Sequence, residues 1–353
     1  MEELMKMLKE ISEVGGIPGY EKEVREVIRK YAEPFGETLE DRLGSLIIRK
    51  KGEKDSPKIM LSAHMDEIGF IVKSITKDGF IKFLPLGGWW DQVLLSQRVI
   101  IKTSKGDIIG VIGSKPPHIL TEEERKKVVE KKDMYIDIGA KNEEEVREMG
   151  VLPGDPIIPQ SEFTPLFNKK YLLGKAWDDR IGCALGIEIL KELNNMKHPN
   201  TVYVSFTVQE EVGLRGATTS SYLVNPDVGI ILESDIATDV PGINQEKPIS
   251  LGNGPSLILY DATMIPNVNL RRLFIETAES LNIPLQFSTL ERGGTDGGRI
   301  HINAKGVPSI VIGVPARYIH SHGSIIHLDD FLFAKNLILE VIRKLDQETV
   351  DNL

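Results

Sequence analysis

The 353-residue chain has one cysteine, Cys183, so no internal disulfide can staple it. That is the usage of a reducing, cytoplasmic protein. Cys183 lies between Gly182 and Ala184 in a helical pattern and reads as a packed thiol, which argues against cysteine nucleophile chemistry. No apolar stretch reaches the roughly 20 residues of a membrane helix, so no membrane partner is expected. The opening MEELMKMLKE alternates charge within a helical pattern, unlike a secretory signal. Basic charge is also short: 43 Lys and Arg against 52 Asp and Glu leave a net −9, a surface that repels phosphate backbones and argues against nucleic acid as a partner. No G-x-S-x-G is present, so a serine-hydrolase elbow has no anchor. The run Gly293-Gly294-Thr295-Asp296-Gly297-Gly298 lacks the spacing and the strand-to-helix setting of a phosphate cradle. Internal repeats, heptads and low-complexity tracts are absent.

What remains is an ordinary globular composition, 41% hydrophobic and 27% charged, long enough for two domains at roughly 150 residues each. Leu4, Leu8 and Ile11 recur at helical spacing, as do Val24, Val27, Ile28 and Tyr31, and the turn 15–19 separates the two helices. From about Gly69 to Gln160 the texture turns to strand–turn–strand signals, 70–75 with 80–84 and 99–103 with 108–112. The charge run 122–127 reads as the solvated face of a helix. After Leu172, helical periods over 181–193, 270–281 and 334–345 alternate with strands: 201–208 places Val202, Val204, Phe206 and Val208 on one face, and 228–232 and 309–314 are apolar runs of the kind that buried sheets use. The pattern predicts an α/β domain interrupted by a β-rich insert, with 1–68 and 161–353 as one unit and 69–160 as the other.

Several apolar strands end in acid or histidine. The run 58–63 leads into His64-Met65-Asp66, 201–208 into Gln209-Glu210-Glu211, 228–232 into Glu233-Ser234-Asp235, and 309–314 into the segment ending at His320. Trp177-Asp178-Asp179-Arg180 precedes the helix at Ile181. Each cluster has a plain reading on its own, Asp178 as a helix N-cap and Glu210-Glu211 as a solvated pair. Together they place five polar groups at one rim of a sheet, where open α/β folds bind ligands. Carboxylates that emerge close together repel one another, and a divalent cation offsets that repulsion. Two histidines with several carboxylates and no nearby thiolate suit zinc, cobalt or manganese. The remaining histidines, 118, 198, 301, 322 and 327, read as surface or packing residues. Adjacent residues on a strand point to opposite faces, which argues against Glu210 and Glu211 flanking one glycosidic bond.

The segments 63–66 (AHMD), 177–180 (WDDR), 209–217 (QEEVGLRGA), 294–296 (GTD) and 315–321 (PARYIHS), in that order, resemble the TET-type aminopeptidases, glucanase-like peptidases with a dinuclear metal centre. Pro116-Pro117-His118 in the insert fits the same pattern. The resemblance implies a mixed-sheet α/β catalytic domain with helices on both faces, interrupted by a β-barrel (PDZ-like) dimerisation domain. It implies two divalent ions per subunit, zinc first and cobalt or manganese as alternatives. Asp178 would bridge them, His64 and Glu233 completing one position and Glu211 and His320 the other. Glu210 would be the general base. Asp66 would accept the imidazole N–H of His64. Relatives commonly present aspartate where Glu233 stands; alignment on Asp239-Val240-Pro241-Gly242 favours Glu233, with Asp235 as the alternative. Asp179 and Arg180 would brace Asp178. Thr295 and Asp296 would line the substrate cleft, and Arg292, with Arg299, would attract an acidic first side chain. The implied partners are peptides and further copies of the chain, dimers building a hollow dodecamer. The Trp89-Trp90 pair is open between core, interface and cleft. Competing readings are a di-zinc deacylase or carboxypeptidase on the same residues, and a non-enzymatic assembly that metal stabilises.

Overall fold

In a computed structural model that describes residues 1–353, four parallel strands form the centre of an eleven-stranded mixed sheet, in the spatial order Thr201–Thr207, Lys58–His64, Val228–Ile236, Ser309–Arg317. Antiparallel strands extend it on both sides, Leu46–Lys50 and Glu37–Glu40 beyond Thr201–Thr207, and Ser324–His327, Tyr171–Gly174 and Thr164–Pro165 beyond Ser309–Arg317. A side branch, Ser256–Asp261 then Gln286–Leu290, pairs onto Ser309–Arg317. The central strands are buried almost throughout, as strands covered on both faces must be. Their common direction brings their carboxyl ends to one rim. Thr207 pairs with His64 there, and Glu233 pairs with Gly313.

Helix Trp177–Leu193 packs on this sheet. It can lie close because Gly186 leaves room for Val204 and Phe206, and a Cβ on Gly182 would collide with Asp179 and the carbonyl of Leu232. Helices Glu2–Glu13 and Leu328–Lys344 flank it and bury the apolar stripes that their spacing forecasts, Leu4, Leu8 and Ile11 in the first. Six antiparallel strands between Gly69 and Pro159 close a separate barrel with its own apolar core around Phe70, Val99, Ile112 and Ile136. The charge run forms the exposed helix Glu122–Arg125, held by a reciprocal cap between Thr121 and Glu124. No helix is long and apolar enough to cross a membrane.

Candidate active site

His64 is the last residue of its strand and Asp66 follows two residues later, both buried. Glu210 and Glu211 lie beyond Thr201–Thr207 in a turn that Gln209 enters at a φ of 56°. The Asp66 carboxylate accepts the backbone N–H groups of Glu210 and Glu211, at 3.0 and 3.1 Å, and so sets that turn. Its expected partner was the His64 ring; instead His64 Nδ1 meets the Asp66 backbone carbonyl at 2.9 Å, and the carboxylate stands 3.7 Å away. Either way Nε2 of His64 is turned toward the rim. The two glutamates sit beyond the strand and not on it, so strand alternation does not set their directions. Both line one cavity, Glu210 on the side of His64 and Glu211 on the side of His320.

Asp178 sits at the centre of this cavity. Its Oδ1 is 3.1 Å from His64 Nε2, and its Oδ2 is 3.1 Å from His320 Nε2. Glu211 is 3.3 Å from His320 Nε2, and Glu233 and Glu210 lie 3.8 and 3.9 Å from His64 Nε2. Donor atoms of His64, Glu210 and Glu233, and again of His64, Asp178 and Glu211, converge within 4.8 Å. The backbone is non-helical at Asp178 and Asp179, so the regular helix starts after them, and it is the Asp179 carboxylate, not that of Asp178, that accepts the N–H groups of Gly182 at 3.0 Å and His64 at 3.2 Å. His320 is oriented from outside the sheet, because its Nδ1 meets the carbonyl of Gly88, a barrel residue, at 2.7 Å. Gly87 and Gly88 are small for that reason: a Cβ on either would crowd Glu211 or the His320 ring. Trp89 is buried against Phe70, whereas Trp90 is exposed.

The charges in this cluster are mutually dependent. Burial works against a charge on Asp178, but hydrogen bonds from His320 and His64 overcome it and hold the carboxyl well below its usual range. Burial likewise opposes protonation of His320, yet its contacts with Asp178 and Glu211 lift it to about 11. His64 is raised well above the ordinary histidine value despite its burial, by Glu210, Asp178, Glu233 and Asp66. Burial and neighbouring carboxylates push Glu210 and Glu233 up. Glu233 Oε2 is buried with no hydrogen-bond partner. Two imidazoles whose proton affinity is raised by the carboxylates around them, and an orphaned carboxylate oxygen beside them, are the marks of a site that demands positive charge. The residues therefore fit divalent cations.

Asp235 also lines the cavity but is not part of either converging group. Thr295 and Arg292 line it as well. Asp296 does not: it lies buried behind the rim, accepting from Ser62 at 2.8 Å and Thr207 at 2.6 Å. Arg299 is likewise absent from the wall, on the short helix Gly297–Ile300. The glycine run packs on Thr263, which a Cβ at Gly294 or Gly298 would strike. His198 and His322 are buried and His327 caps a helix, in keeping with packing roles. Arg180, expected to brace Asp178, instead donates to backbone carbonyls of Met65, Ile11, Val14 and Gly16 and meets Glu67. Sequence reasoning missed the carbonyl of Gly88 and the buried Glu67 and Lys175 behind the site. No motif marks them, because their partners are backbone atoms or come from segments distant in the chain.

Residues 44–337 match the family model described as M42 glutamyl aminopeptidase. The chain belongs to that family. It is accordingly an aminopeptidase, a hydrolase acting on peptides, in a metal-dependent family. A second model, described as AMPT, matches residues 2–28. Among solved structures, a TET aminopeptidase from a marine sediment archaeon of the Thaumarchaeota is 49% identical with a TM-score of 0.97, covering 99% of each chain. The TET1 peptidase of Pyrococcus horikoshii, described as assembling into a tetrahedron or a large octahedral shell, is 33% identical with a TM-score of 0.86, covering 97% of this chain and 100% of that one. The glutamyl aminopeptidase of Lactococcus lactis is 36% identical over 99% of this chain and 98% of its own. The lysyl aminopeptidase of Pyrococcus furiosus is 32% identical over 96% and 98%. The family resemblance and the mixed α/β fold with an inserted barrel are thus both borne out.

Proposed function

We propose that the chain releases single residues from the free N-termini of peptides, using two divalent cations shared by Asp178. His64 and Glu233 would complete one position, and Glu211 and His320 the other. The observation that carries this reading is the placement of Asp178, whose two oxygens each face a different imidazole, with further carboxylates beside each ring. Bound cations would acidify water and polarise the scissile carbonyl. The donor set is nitrogen and oxygen only, since the one thiol, Cys183, is buried with its Sγ on the His64 carbonyl at 3.2 Å. That favours zinc, with cobalt or manganese next.

Glu210 is the general base in this scheme. Its carboxyl has no hydrogen-bond partner tying it down, and burial with its acidic neighbours raises its affinity for a proton. It takes the proton of the attacking water and passes it to the departing amine. Asp66 positions Glu210 through the backbone, and Gly88 positions His320. Arg292 on the cavity wall offers a cation to an acidic first side chain, a preference in keeping with the glutamyl description of the family. The dodecamer and the tetrahedral or octahedral shells described for Pyrococcus horikoshii TET1 support self-assembly, and we assign the pairing of chains to the barrel and the finished shell to a dodecamer. We assign residues 1–68 and 161–353 to the catalytic unit, 69–160 to the dimerising one, and the chain to the cytoplasm.

The test is a panel of aminoacyl chromogenic substrates, free and N-acetylated, with zinc or cobalt and then with chelator. Chelator-sensitive release from free-amine substrates alone is expected, fastest with glutamyl or aspartyl. Release from acetylated substrates alone would replace this reading with a deacylase, and leucyl turnover above glutamyl would remove the role of Arg292.

A further inference from the structure

The catalytic cavity, about 530 Å³, does not end at the carboxylates. Asp235, Ile236 and Leu290 on its wall also line a second cavity of about 470 Å³. That second space runs along strand Gln286–Leu290, with Thr238, Leu259 and Phe287 among its walls. Gln286–Leu290 pairs only with Ser256–Asp261, so the amides and carbonyls of its other edge are open to an incoming strand. Phe287 and Ile236 are each 48% exposed beside it. Beneath the same wall the Asp235 carboxylate lies buried, with the hydroxyls of Ser256 and Ser288 beside it. Asp235 itself is only 2% exposed.

We infer that the second cavity is a binding track for the downstream part of a peptide substrate, its third to fifth residues, laid in extended form along the free edge of Gln286–Leu290. This rests on the aminopeptidase reading above and adds the length of peptide the site engages. The occupant follows from adjacency: a peptide whose first residue lies among the carboxylates must leave the site, and the neighbouring cavity shares Asp235, Ile236 and Leu290 with it. At about 3.3 Å per extended residue, the track engages residues that a dipeptide or an aminoacyl chromogen does not have. Edge pairing binds main chain, so it accepts any downstream sequence, and Phe287 and Ile236 supply apolar contact without strong selection. Binding energy from remote residues can be used at the reacting bond, so both kcat and KM respond to length.

The experiment compares kcat/KM for peptides that share a first residue and grow from two to six residues. The ratio of pentapeptide to dipeptide is expected to be about tenfold, with a plateau beyond, because only engaged residues contribute. Phe287→Glu is expected to bring that ratio to about twofold, and Phe287→Trp to keep it, since the ring face is what the track uses. The readout is a ratio within one preparation, so partial misfolding cancels. A flat length profile in an enzyme that cleaves the dipeptide with chelator sensitivity would overturn the track. So would a Phe287→Glu variant that changes the preferred first side chain and leaves the length ratio intact. If no free-amine substrate of any length is cleaved, the aminopeptidase reading falls and the track with it.

Discussion

Arg180 is fully buried, two residues after Asp178, and its guanidinium donates to Met65 O at 2.6 Å, Ile11 O at 2.7 Å, Val14 O at 3.0 Å and Gly16 O at 3.3 Å. Glu67 lies 3.4 Å from the same group and is also held by the buried Lys175. One side chain thus ties the end of helix Glu2–Glu13 to the segment carrying His64 and Asp66. Arg180→Met keeps the aliphatic volume and strips every one of those donors. Lys175 still serves Val14 and Glu67, but the carbonyls of Met65, Ile11 and Gly16 lose the guanidinium. Hydrogen bonds to charged groups contribute about 1.5–3 kcal/mol each, and breaking a buried ionic contact costs about 3–5 kcal/mol. Because these terms overlap, the expected loss is about 4 kcal/mol, a large share of a typical 5–15 kcal/mol. Urea unfolding and kcat/KM are measured on the same preparation. The activity loss should exceed about tenfold at temperatures where the variant is folded, since small displacements of reacting groups are costly. Arg180→Lys should recover little, lacking the planar fork. A methionine variant within about 1 kcal/mol of wild type, with full activity, would refute the bracing role.

Glu210→Gln should lower kcat by about 10²–10⁴-fold, the usual worth of a general base, and leave bound metal unchanged by elemental analysis. Loss of metal in that variant would instead make Glu210 a ligand. Asp330 is buried and accepts the N–H groups of Gly252 and Gly254, both at 2.7 Å, and burial raises its carboxyl from 3.8 to about 6. Between those values the folded chain binds the proton more tightly than the unfolded chain, so stability falls as pH rises from about 4 to 6, by about 3 kcal/mol. Asp330→Asn should lack that slope in urea titrations across the window, and parallel curves for the two proteins would contradict the assignment.

Much of the site was legible because of where its residues stand in the pattern. Apolar runs over 58–63, 201–208 and 228–232 announce buried parallel strands, and such strands carry whatever follows them to a shared rim. His64, Glu210, Glu211 and Glu233 reach one cavity for that reason, and His320 follows its own strand by a short loop. What the pattern could not supply was local geometry. The turn at Gln209 requires a left-handed backbone that no neighbour sequence advertises, and it brings both Glu210 and Glu211 to one cavity. Whether Asp178 or Asp179 accepts an N–H at the helix start depends on which carboxylate faces Gly182. Asp296 stands next to a true wall residue, yet faces Ser62 and Thr207 instead. Gln286–Leu290 carries too little apolar pattern to be read, and Ser256–Asp261, although its centre is an apolar run, is a single short element that sequence reasoning passed over, so the second cavity went unseen with them.

The central claim is that Asp178 holds two cations together, and metal content tests it without reference to activity. Purified wild type and Asp178→Ala, loaded with zinc and dialysed against metal-free buffer, are compared by elemental analysis with folding checked by circular dichroism. The account predicts two zinc ions per chain in the wild type and loss of both in the folded variant. A wild type that holds no zinc, or a variant that keeps two ions, would contradict it.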